Sequence, residues 1–204
     1  MKGKFITIEG VDMAGKSTHL EKLVTKLALD DYKIKVMHFP NYESETGKII
    51  KSYLDGKTKI DAKYIQMLYV IDQAFVSNKI KQYLKDDYIV LSDRYDLSTC
   101  VYYSSLTKND KNFNFIFNDL QGYDFLRPDA TICLYLDENN KARRKNLDLY
   151  ENDTNLMNTV NNYYKNIVNY LCKVCDNRKL FLVNTSQEIK KAEKEIYDFV
   201  KSII

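Results

Sequence analysis

The stretch IEGVDMAGKSTHL, residues 8–20, carries the strongest structural signal in this chain. It has the order G-x-x-x-x-G-K-S of a phosphate-binding loop, or P-loop, formed here by Gly10, Gly15, Lys16 and Ser17. A short apolar run at residues 4–9 precedes the loop, and apolar residues at helical spacing follow it over residues 17–30. A strand, this loop and a helix in that order form the context in which the motif binds phosphate. The stretch therefore predicts a nucleoside triphosphate site.

The residues of the loop supply the groups that hold phosphates. Gly10 and Gly15 allow the backbone to turn tightly and to point its N–H groups inward, where they form an anion cradle with the positive end of the following helix. Lys16 can bridge the transferring phosphate and its neighbour, and the Ser17 hydroxyl is placed to hold Mg²⁺. The predicted triphosphate contacts are Gly10, Asp12, Met13, Ala14, Gly15, Lys16, Ser17 and Thr18.

Composition and charge are those of an ordinary globular protein. The chain has 204 residues, of which 45% are apolar and 29% charged, and its formal net charge is +3. Lysines and acidic residues are interleaved, so we expect no nucleic-acid partner. No apolar run approaches the ~20 residues that a membrane-spanning helix needs, and residues 1–4 lead directly into the first strand without a signal peptide. These features predict a cytoplasmic protein with no membrane partner.

The cysteines do not predict a metal site. They are Cys100, Cys133, Cys172 and Cys175, and the last two form one C-x-x-C in a helical context. A single pair without a second pair or nearby histidines is a poor zinc site. The C-x-x-C pair is better explained as two small residues on a helix of a protein in a reducing compartment.

Short apolar runs alternate with longer helical patterns along the chain, without an internal repeat or a linker. The predicted strands are residues 4–9, 33–39, 88–93, 130–137 and 179–184. The predicted helices are residues 17–30, 46–54, 62–84 and 188–203. Strands separated by helices predict an α/β fold with a five-stranded parallel sheet covered by helices on both faces. Ligands in such a fold bind at the carboxyl ends of the strands, and the candidate residues fall there.

The P-loop occurs in several classes of protein, and the rest of the chain narrows the choice. A GTPase would show the base-reading motif N-K-x-D, which neither SNKIK nor TKND matches. A motor or a large ATPase would need a longer chain. A small kinase remains, and a kinase needs a second group of residues for its acceptor.

Six motifs, in order, resemble those of the thymidylate kinase family. They are EGVDMAGKST at 9–18, FPNYES at 39–44, DRYDLST at 93–99, RPDATICLYLD at 127–137, RRKNLDLYE at 143–151 and NTSQE at 184–188. The resemblance covers nearly the whole chain. It implies a P-loop NTPase fold, a single kinase domain over residues 1–204, a small helical lid at about residues 138–152 and, often, a homodimer. The implied reaction transfers the γ-phosphate of ATP to dTMP, with Mg²⁺ as the cofactor.

The motif DRYDLST contributes two residues to the predicted catalytic centre. Arg94 has a planar guanidinium that suits a bidentate grip on a phosphate, and the resemblance assigns it to the acceptor phosphate. Asp93 stands at the end of a predicted strand, where a carboxylate can orient Mg²⁺ or its waters together with Ser17. In the family, the acidic residue at the position of Asp12 approaches the acceptor sugar and the reacting phosphates. With Lys16 and the lid residue Arg144, these residues form the predicted catalytic set.

Another group of residues is expected to form the acceptor pocket. The resemblance places Phe39 and Pro40 in its wall and the ring of Tyr69 under the base, a contact that adds affinity more than choice of base. Gln73 stands where most members have an arginine that donates to a thymine carbonyl, and its amide can donate as well as accept. The remaining predicted members are Asp12, Tyr42, Arg94, Ser98, Tyr102 and Tyr103.

The lid is expected to supply the arginine that the P-loop lacks. Met13 occupies a loop position at which some members carry an arginine, so the positive charge must come from elsewhere. The run KARRKNLDLYE offers Arg144, which aligns best with a lid arginine, and Arg143 as a second candidate. Ser186 lies in a loop that resembles the border of the adenine site, and it completes the predicted ATP contacts.

Three other interpretations stay open. Gln73 could read a different base edge, which would make the chain a kinase of another deoxynucleoside monophosphate, such as dUMP or a modified pyrimidine. A deoxynucleoside kinase would need a carboxylate base beside an uncharged sugar hydroxyl. A catalytically silent nucleotide-binding module is the third, although intact Lys16, Ser17, Asp93 and Arg94 argue against it.

Overall fold

The computed structural model describes residues 2–122, 125–137, 147–174 and 178–204. The strands are β1 (Lys4–Gly10), β2 (Ile34–His38), β3 (Ile89–Asp93), β4 (Ala130–Tyr135) and β5 (Lys179–Asn184). All five run parallel and lie in the spatial order β2-β3-β1-β4-β5. The predicted five-stranded parallel sheet is therefore confirmed.

Helices connect the strands in the described part of the chain. They are α1 (Lys16–Leu29), α2 (Glu45–Leu54), α3 (Ala62–Lys85), α4 (Asp96–Thr107), α5 (Lys111–Gly122), α6 (Thr154–Lys165), α7 (Ile167–Lys173) and α8 (Ile189–Lys201). The helices α1, α2, α3 and α8 lie close to their predicted bounds. The helices α4, α5 and α6 were not predicted, and α7 was predicted only as a helical context around Cys172. Within the described ranges, no helix combines the length and the apolar character needed to cross a membrane.

The sheet is covered by helices on both faces. Side chains alternate along a strand, so neighbours in β1 point to opposite faces. Phe5 packs with Ile80 of α3, whereas Ile6 joins the core that includes Leu23 and Leu27 of α1. All of these side chains are buried. Burial on both faces is the reason that the central strands read as nearly unbroken apolar runs.

The order of the strands brings the functional motifs together. β1 lies between β3 and β4, and the register aligns Ile8 with Asp93 and Gly10 with Leu134. β2 pairs with the other side of β3 and sets His38 opposite Asp93. The P-loop and the DRYDLST motif therefore meet at the carboxyl edge of the sheet, as the sequence predicts.

Two predicted features lie partly outside the described residues. Of the predicted lid at 138–152, the structure describes 147–152, where the Leu149 N–H donates to the Leu54 carbonyl oxygen over 2.9 Å. The end of the lid motif therefore borders α2. Cys172 of the C-x-x-C lies exposed in α7, which confirms its helical context, and Cys175 is outside the described residues.

Candidate active site

The P-loop joins the end of β1 to the start of α1. Gly10 has a φ of 152°, and a Cβ at this position would lie 2.5 Å from the Leu134 carbonyl oxygen, so only glycine fits. Gly15 has a φ of 81° and caps the N-terminus of α1. The first N–H groups of a helix have no partner within it, and the helix dipole favours an anion there. The backbone thus has the conformation that the predicted anion site requires.

Lys16 folds back onto this loop. Its side chain is 8% exposed, and Nζ donates to the carbonyl oxygens of Gly10 (3.2 Å) and Val11 (2.9 Å). The Asp12 carboxylate lies 3.5 Å from Nζ. Burial, together with the positive charge of Arg94, lowers the pKa of Lys16 to about 8. The ammonium is therefore still mostly protonated at neutral pH and available to a phosphate.

Ser17 and Asp93, the predicted metal ligands, are neighbours. Ser17 Oγ donates to Asp93 Oδ2 over 3.3 Å. Asp93 Oδ1 is buried and has no hydrogen-bond partner among the described residues. Burial opposes ionisation of Asp93, but His38, with Nδ1 at 3.9 Å, and the charge of Lys16 hold the pKa of this carboxyl below its usual value. A hydroxyl beside an ionised carboxylate with a spare acceptor suits a hard divalent cation.

Arg94 is held as a fixed charge next to the P-loop. Its backbone has a left-handed φ of 65°, and its N–H donates to the Ile8 carbonyl oxygen over 2.9 Å. Nη1 donates to the Gly10 carbonyl oxygen and to Ser98 Oγ, both at 3.1 Å. Nη2 forms an ion pair with the Asp12 carboxylate. These contacts fix the plane of the guanidinium before any ligand binds.

Asp12 joins the cations of the site to its aromatic wall. Its Oδ2 accepts from the Tyr102 hydroxyl over 2.6 Å. Burial opposes its ionisation, but Arg94 and Lys16 hold the pKa of Asp12 well below its usual range. The Tyr102 ring lies 5.2 Å from the centre of the Arg94 guanidinium and stacks on Tyr150. Asp12 is therefore an anion that offsets part of the positive charge near the loop.

Glu9 belongs to this site, although the sequence predicted no role for its side chain. It is fully buried, its Oε1 accepts from the Tyr95 N–H over 2.8 Å, and its Oε2 accepts from the hydroxyls of Ser98 and Tyr164. Burial, with the negative charge of Asp96, raises its pKa to about 7. Two signals in the sequence mark it: Glu9 is the first residue of the motif EGVDMAGKST, and it is an ionisable residue that ends an otherwise mostly apolar run.

A cavity beside Arg94 collects every residue predicted for the acceptor. They are Asp12, Phe39, Pro40, Tyr42, Tyr69, Gln73, Arg94, Ser98, Tyr102 and Tyr103. The lining residues that the sequence did not single out are Leu54, Ala62, Ile65, Gln66, Thr99, Leu106, Asp148 and Tyr150. Asp148 and Tyr150 belong to the motif RRKNLDLYE, so that motif could have suggested them. Aromatic rings beside a guanidinium suit an aromatic base that carries a phosphate.

The Gln73 amide uses its NH₂ group in hydrogen bonds within the protein. The side chain is 2% exposed, and Nε2 donates to Thr99 Oγ1 (2.9 Å) and to the Tyr95 carbonyl oxygen (3.2 Å). Oε1 is buried and has no hydrogen-bond partner in the described part of the chain. The free group of Gln73 is therefore an acceptor. Of the two possibilities that the sequence left open for Gln73, this arrangement favours the acceptor over a donor to a thymine carbonyl.

The predicted ATP contacts beyond the P-loop are only partly described. Ser186 follows β5, where its Oγ accepts from the Asp137 N–H over 2.8 Å and its own N–H donates to Asn184 Oδ1 over 2.9 Å. It therefore lies beside the end of β4, at the same edge of the sheet as the P-loop. Arg143 and Arg144 lie outside the described residues, and their roles stay predictions.

Comparisons with known proteins indicate one family. The family model described as thymidylate kinase matches residues 8–196. A thymidylate kinase of Plasmodium falciparum is 32% identical over 152 residues, which cover 74% of this chain and 70% of that protein. One from Caldicellulosiruptor saccharolyticus is 31% identical over 186 residues, with 83% of this chain and 88% of that protein covered. A solved structure of thymidylate kinase from Candida albicans, 24% identical, covers 98% of this chain and 92% of its own with a TM-score of 0.80, which shows the shared fold. By sequence, fold and site, this chain belongs to the thymidylate kinase family.

Proposed function

We propose that this chain transfers the γ-phosphate of ATP to dTMP and releases ADP and dTDP. The observation that carries the proposal is the position of Arg94, which bonds to the P-loop at Gly10 and also lines the acceptor cavity. A triphosphate on the loop and a monophosphate in the cavity would meet at this fixed cation. Phosphoryl transfer needs such positioning and charge neutralisation more than covalent chemistry.

The acceptor needs no general base, because its phosphate oxygen is already anionic near neutral pH. That oxygen attacks the γ-phosphorus in line, and the bond to the oxygen that bridges the β- and γ-phosphates breaks as ADP leaves. Lys16 and Arg94 spread the negative charge that builds up on the transferring group. Asp12 orients Arg94 through their ion pair and lies in the cavity wall, where the acceptor sugar is expected.

Ser17 and Asp93 would hold Mg²⁺. The fit rests on Asp93 Oδ1, a buried carboxylate oxygen without a hydrogen-bond partner among the described residues, next to the Ser17 hydroxyl. Bound there, Mg²⁺ would neutralise charge on the β- and γ-phosphates.

We further infer that the lid and the loop after β5 complete the ATP site. Met13 has no charge to offer within the P-loop, which supports Arg144 as the lid cation and Arg143 as its alternative. Ser186 would border the adenine, because it lies at the P-loop edge of the sheet beside Asp137.

A coupled assay of ADP release with ATP and Mg²⁺ tests the proposal. The acceptor panel is dTMP, dUMP, dCMP, dGMP, UMP and thymidine. We expect clear preference for dTMP and no turnover of thymidine, which lacks the phosphate that Arg94 would hold. As a control, Lys16→Met should abolish transfer in a protein that still folds. Preference for another monophosphate would overturn dTMP as the substrate. ATP binding without turnover of any acceptor would instead indicate a silent nucleotide-binding module.

One observation favours a second candidate acceptor. Gln73 is the polar residue expected at the base, and its free oxygen cannot contact the 5-methyl group favourably. Uracil and 5-substituted uracils present the same N–H and carbonyl edge as thymine. A kinase of dUMP or of a modified pyrimidine nucleotide therefore remains the alternative that the panel tests.

We also propose a homodimer formed through the outer face of α3. Tyr64, Met67, Ile71 and Phe75 recur at steps of three and four residues, and they are 61%, 53%, 39% and 73% exposed. Phe115 of α5, also exposed, lines one cavity with Met67 and Ile71. A contiguous exposed apolar patch of this kind is typical of a protein interface. A two-fold axis would bury the same patch on both copies.

The domain and compartment are proposals as well. We infer a single kinase domain over residues 1–204, because one sheet takes strands from Lys4 to Asn184. We place it in the cytoplasm. Cys100, Cys133 and Cys172 form no disulfide within the described ranges, which supports a reducing compartment.

A further inference from the structure

Gln73 lines the cavity predicted for dTMP, and its side-chain oxygen has no hydrogen-bond partner among the described residues. The residue is 2% exposed, and Oε1 itself is buried. Buried polar atoms are nearly always paired, and an exception calls for an explanation. A ligand that donates a hydrogen bond at this point would supply one.

The orientation of the amide follows from its neighbours. The Tyr95 carbonyl oxygen can only accept, and it lies 3.2 Å from the Nε2 of Gln73. Rotating the amide by half a turn would set Oε1 against that carbonyl, so that two acceptors would face each other. Thr99 Oγ1, at 2.9 Å, accepts a second hydrogen bond from Nε2. Tyr95, just before α4, and Thr99 of α4 therefore engage the NH₂ group, and the carbonyl is the end of the amide left for a ligand.

We propose that Gln73 Oε1 accepts the ring N3–H of a thymine or uracil base and so makes this N–H the feature that selects the substrate. This inference rests on the proposed function and names its base specificity. N3–H is the only N–H that the ring of a thymine nucleotide carries. Cytosine has an unprotonated N3, which would set a second acceptor against Oε1. Discrimination against it follows because a site built for a hydrogen bond rejects a ligand that cannot form it.

An acceptor at position 73 and a donor at the same position predict different responses to a change at N3. A donor would read the thymine O4 and would tolerate a methyl group on N3 as far as space allows. An acceptor requires the hydrogen on N3. The two can therefore be separated with N3-methyl-dTMP, in which the hydrogen is replaced and both carbonyls remain.

The experiment measures kcat/KM and calorimetric affinity for dTMP, N3-methyl-dTMP and dCMP. For the natural chain, we expect dTMP to be favoured over both analogues by about 10- to 100-fold. Gln73→Met keeps the length of the side chain but has no amide. This variant should lower kcat/KM and affinity for dTMP by a similar factor. The values for the three ligands should then lie within about fivefold of one another. That loss of discrimination separates hydrogen bonding from a steric effect of the added methyl group.

A second pair of variants tests the orientation without altering Gln73. Thr99→Val removes one acceptor of Nε2, so that the amide is less firmly held and the preference for dTMP over dCMP should fall. Thr99→Ser keeps the hydroxyl and should keep the preference. Circular dichroism checks that each variant folds.

The outcomes separate the two proposals. Equal use and binding of dTMP and N3-methyl-dTMP by the natural chain would overturn the role of Gln73 while leaving the kinase proposal intact. An unchanged preference in Gln73→Met would do the same. Absence of turnover would overturn the proposed function, and the calorimetric affinities would still show whether N3–H is read.

Discussion

Arg94 contacts the P-loop and lines the acceptor cavity. A substitution that keeps its positive charge but removes the planar guanidinium therefore tests its role. Arg94→Lys loses the planar fork that reaches Gly10, Ser98 and Asp12 together. We expect kcat/KM for dTMP to fall about 100- to 1000-fold, because the acceptor phosphate loses a bidentate partner. Steady-state kinetics with varied dTMP measure the loss.

An exposed arginine provides the matched control for that change. The Arg127 guanidinium lies 5.9 Å from the ring centre of Phe117, away from the cavity lining. Arg127→Lys should leave kcat/KM within about twofold of the natural value. Unimpaired use of dTMP by Arg94→Lys would contradict the assignment of the acceptor phosphate to Arg94.

Glu9 makes a prediction about the pH dependence of stability. Burial raises its pKa from 4.5 to about 7, so between these values the folded protein keeps a proton that the unfolded chain has lost. The contribution of Glu9 to the free energy of unfolding therefore falls as pH rises from 4.5 to 7, by roughly 3 kcal/mol in all. Glu9→Gln cannot titrate. The unfolding free energy of the natural chain minus that of Glu9→Gln should therefore be smaller at pH 8 than at pH 5.

Urea unfolding of both proteins at the two pH values checks this slope. Other titrating groups are common to the two chains and cancel in the difference. A difference that is the same at pH 5 and pH 8, or larger at pH 8, would show that Glu9 has no raised pKa in the folded protein.

Single residues were predictable where a motif defines their role. The P-loop and the DRYDLST motif, with the family resemblance, predicted Asp12, Asp93 and Arg94 as members of one site. The structure brings the three together beside the P-loop, and their roles stay predictions. Glu9 was not recognised, because its partner Ser98 lies 89 residues away in the chain. The orientation of the Gln73 amide depends in the same way on the Tyr95 carbonyl, and residue type alone left both donor and acceptor possible.

Elements were predictable where one face is buried and the other exposed. The helix α3 shows such a pattern and was predicted almost to the residue. The helix α4 was missed because it is buried over most of its length, including polar residues such as Ser98, Thr99 and Ser105. Burial on all sides removes the period that a sequence pattern needs. The start of α6 had a usable signal, since Asp153 accepts from the N–H groups of Asn155 and Leu156 as an N-cap.

The loop between β2 and α2 is anchored by one carboxylate of α3. Buried Asp72 accepts from the Asn41 N–H (2.7 Å), from Ser44 Oγ (2.6 Å) and from Thr46 Oγ1 (2.8 Å). Asp72→Ala should lower the free energy of unfolding by about 2–4 kcal/mol, because these donors lose their acceptor. The same loop carries Tyr42 into the cavity wall, so the KM for dTMP should rise about tenfold.

The measurement compares urea unfolding and the two substrate constants. The KM for ATP should change much less than the KM for dTMP, because Asp72 holds the loop between β2 and α2 rather than the P-loop. Asp198→Ala, an exposed position on α8, is the matched control and should alter neither quantity. Equal increases in both KM values would show that Asp72 supports the fold in general rather than this loop.

At the scale of the whole molecule, the parallel sheet could be predicted and its strand order could not. Alternating strands and helices require parallel strands, but many orders satisfy that requirement. The observed order sets β1 between β3 and β4 and so brings Ile8 beside Asp93. That adjacency turns two separate motifs into one site. The residues of each motif were known beforehand, whereas their distances depended on the order of the strands.

The exposed apolar face of α3 makes a prediction about assembly. Phe75 is 73% exposed at the end of the stripe that begins at Tyr64, and Phe75→Glu would bury a charge in the proposed two-fold interface. We expect sedimentation velocity to show a dimer for the natural chain and at least a tenfold weaker dimer, roughly 1.4 kcal/mol or more, for the variant. Leu29→Glu, at a position 80% exposed at the end of α1, is the matched control and should remain dimeric. Because α3 also carries Tyr69 and Gln73 in the acceptor cavity, the monomer should bind dTMP more weakly. A natural chain that sediments as a monomer, or a Phe75→Glu variant as dimeric as Leu29→Glu, would exclude this face as the interface.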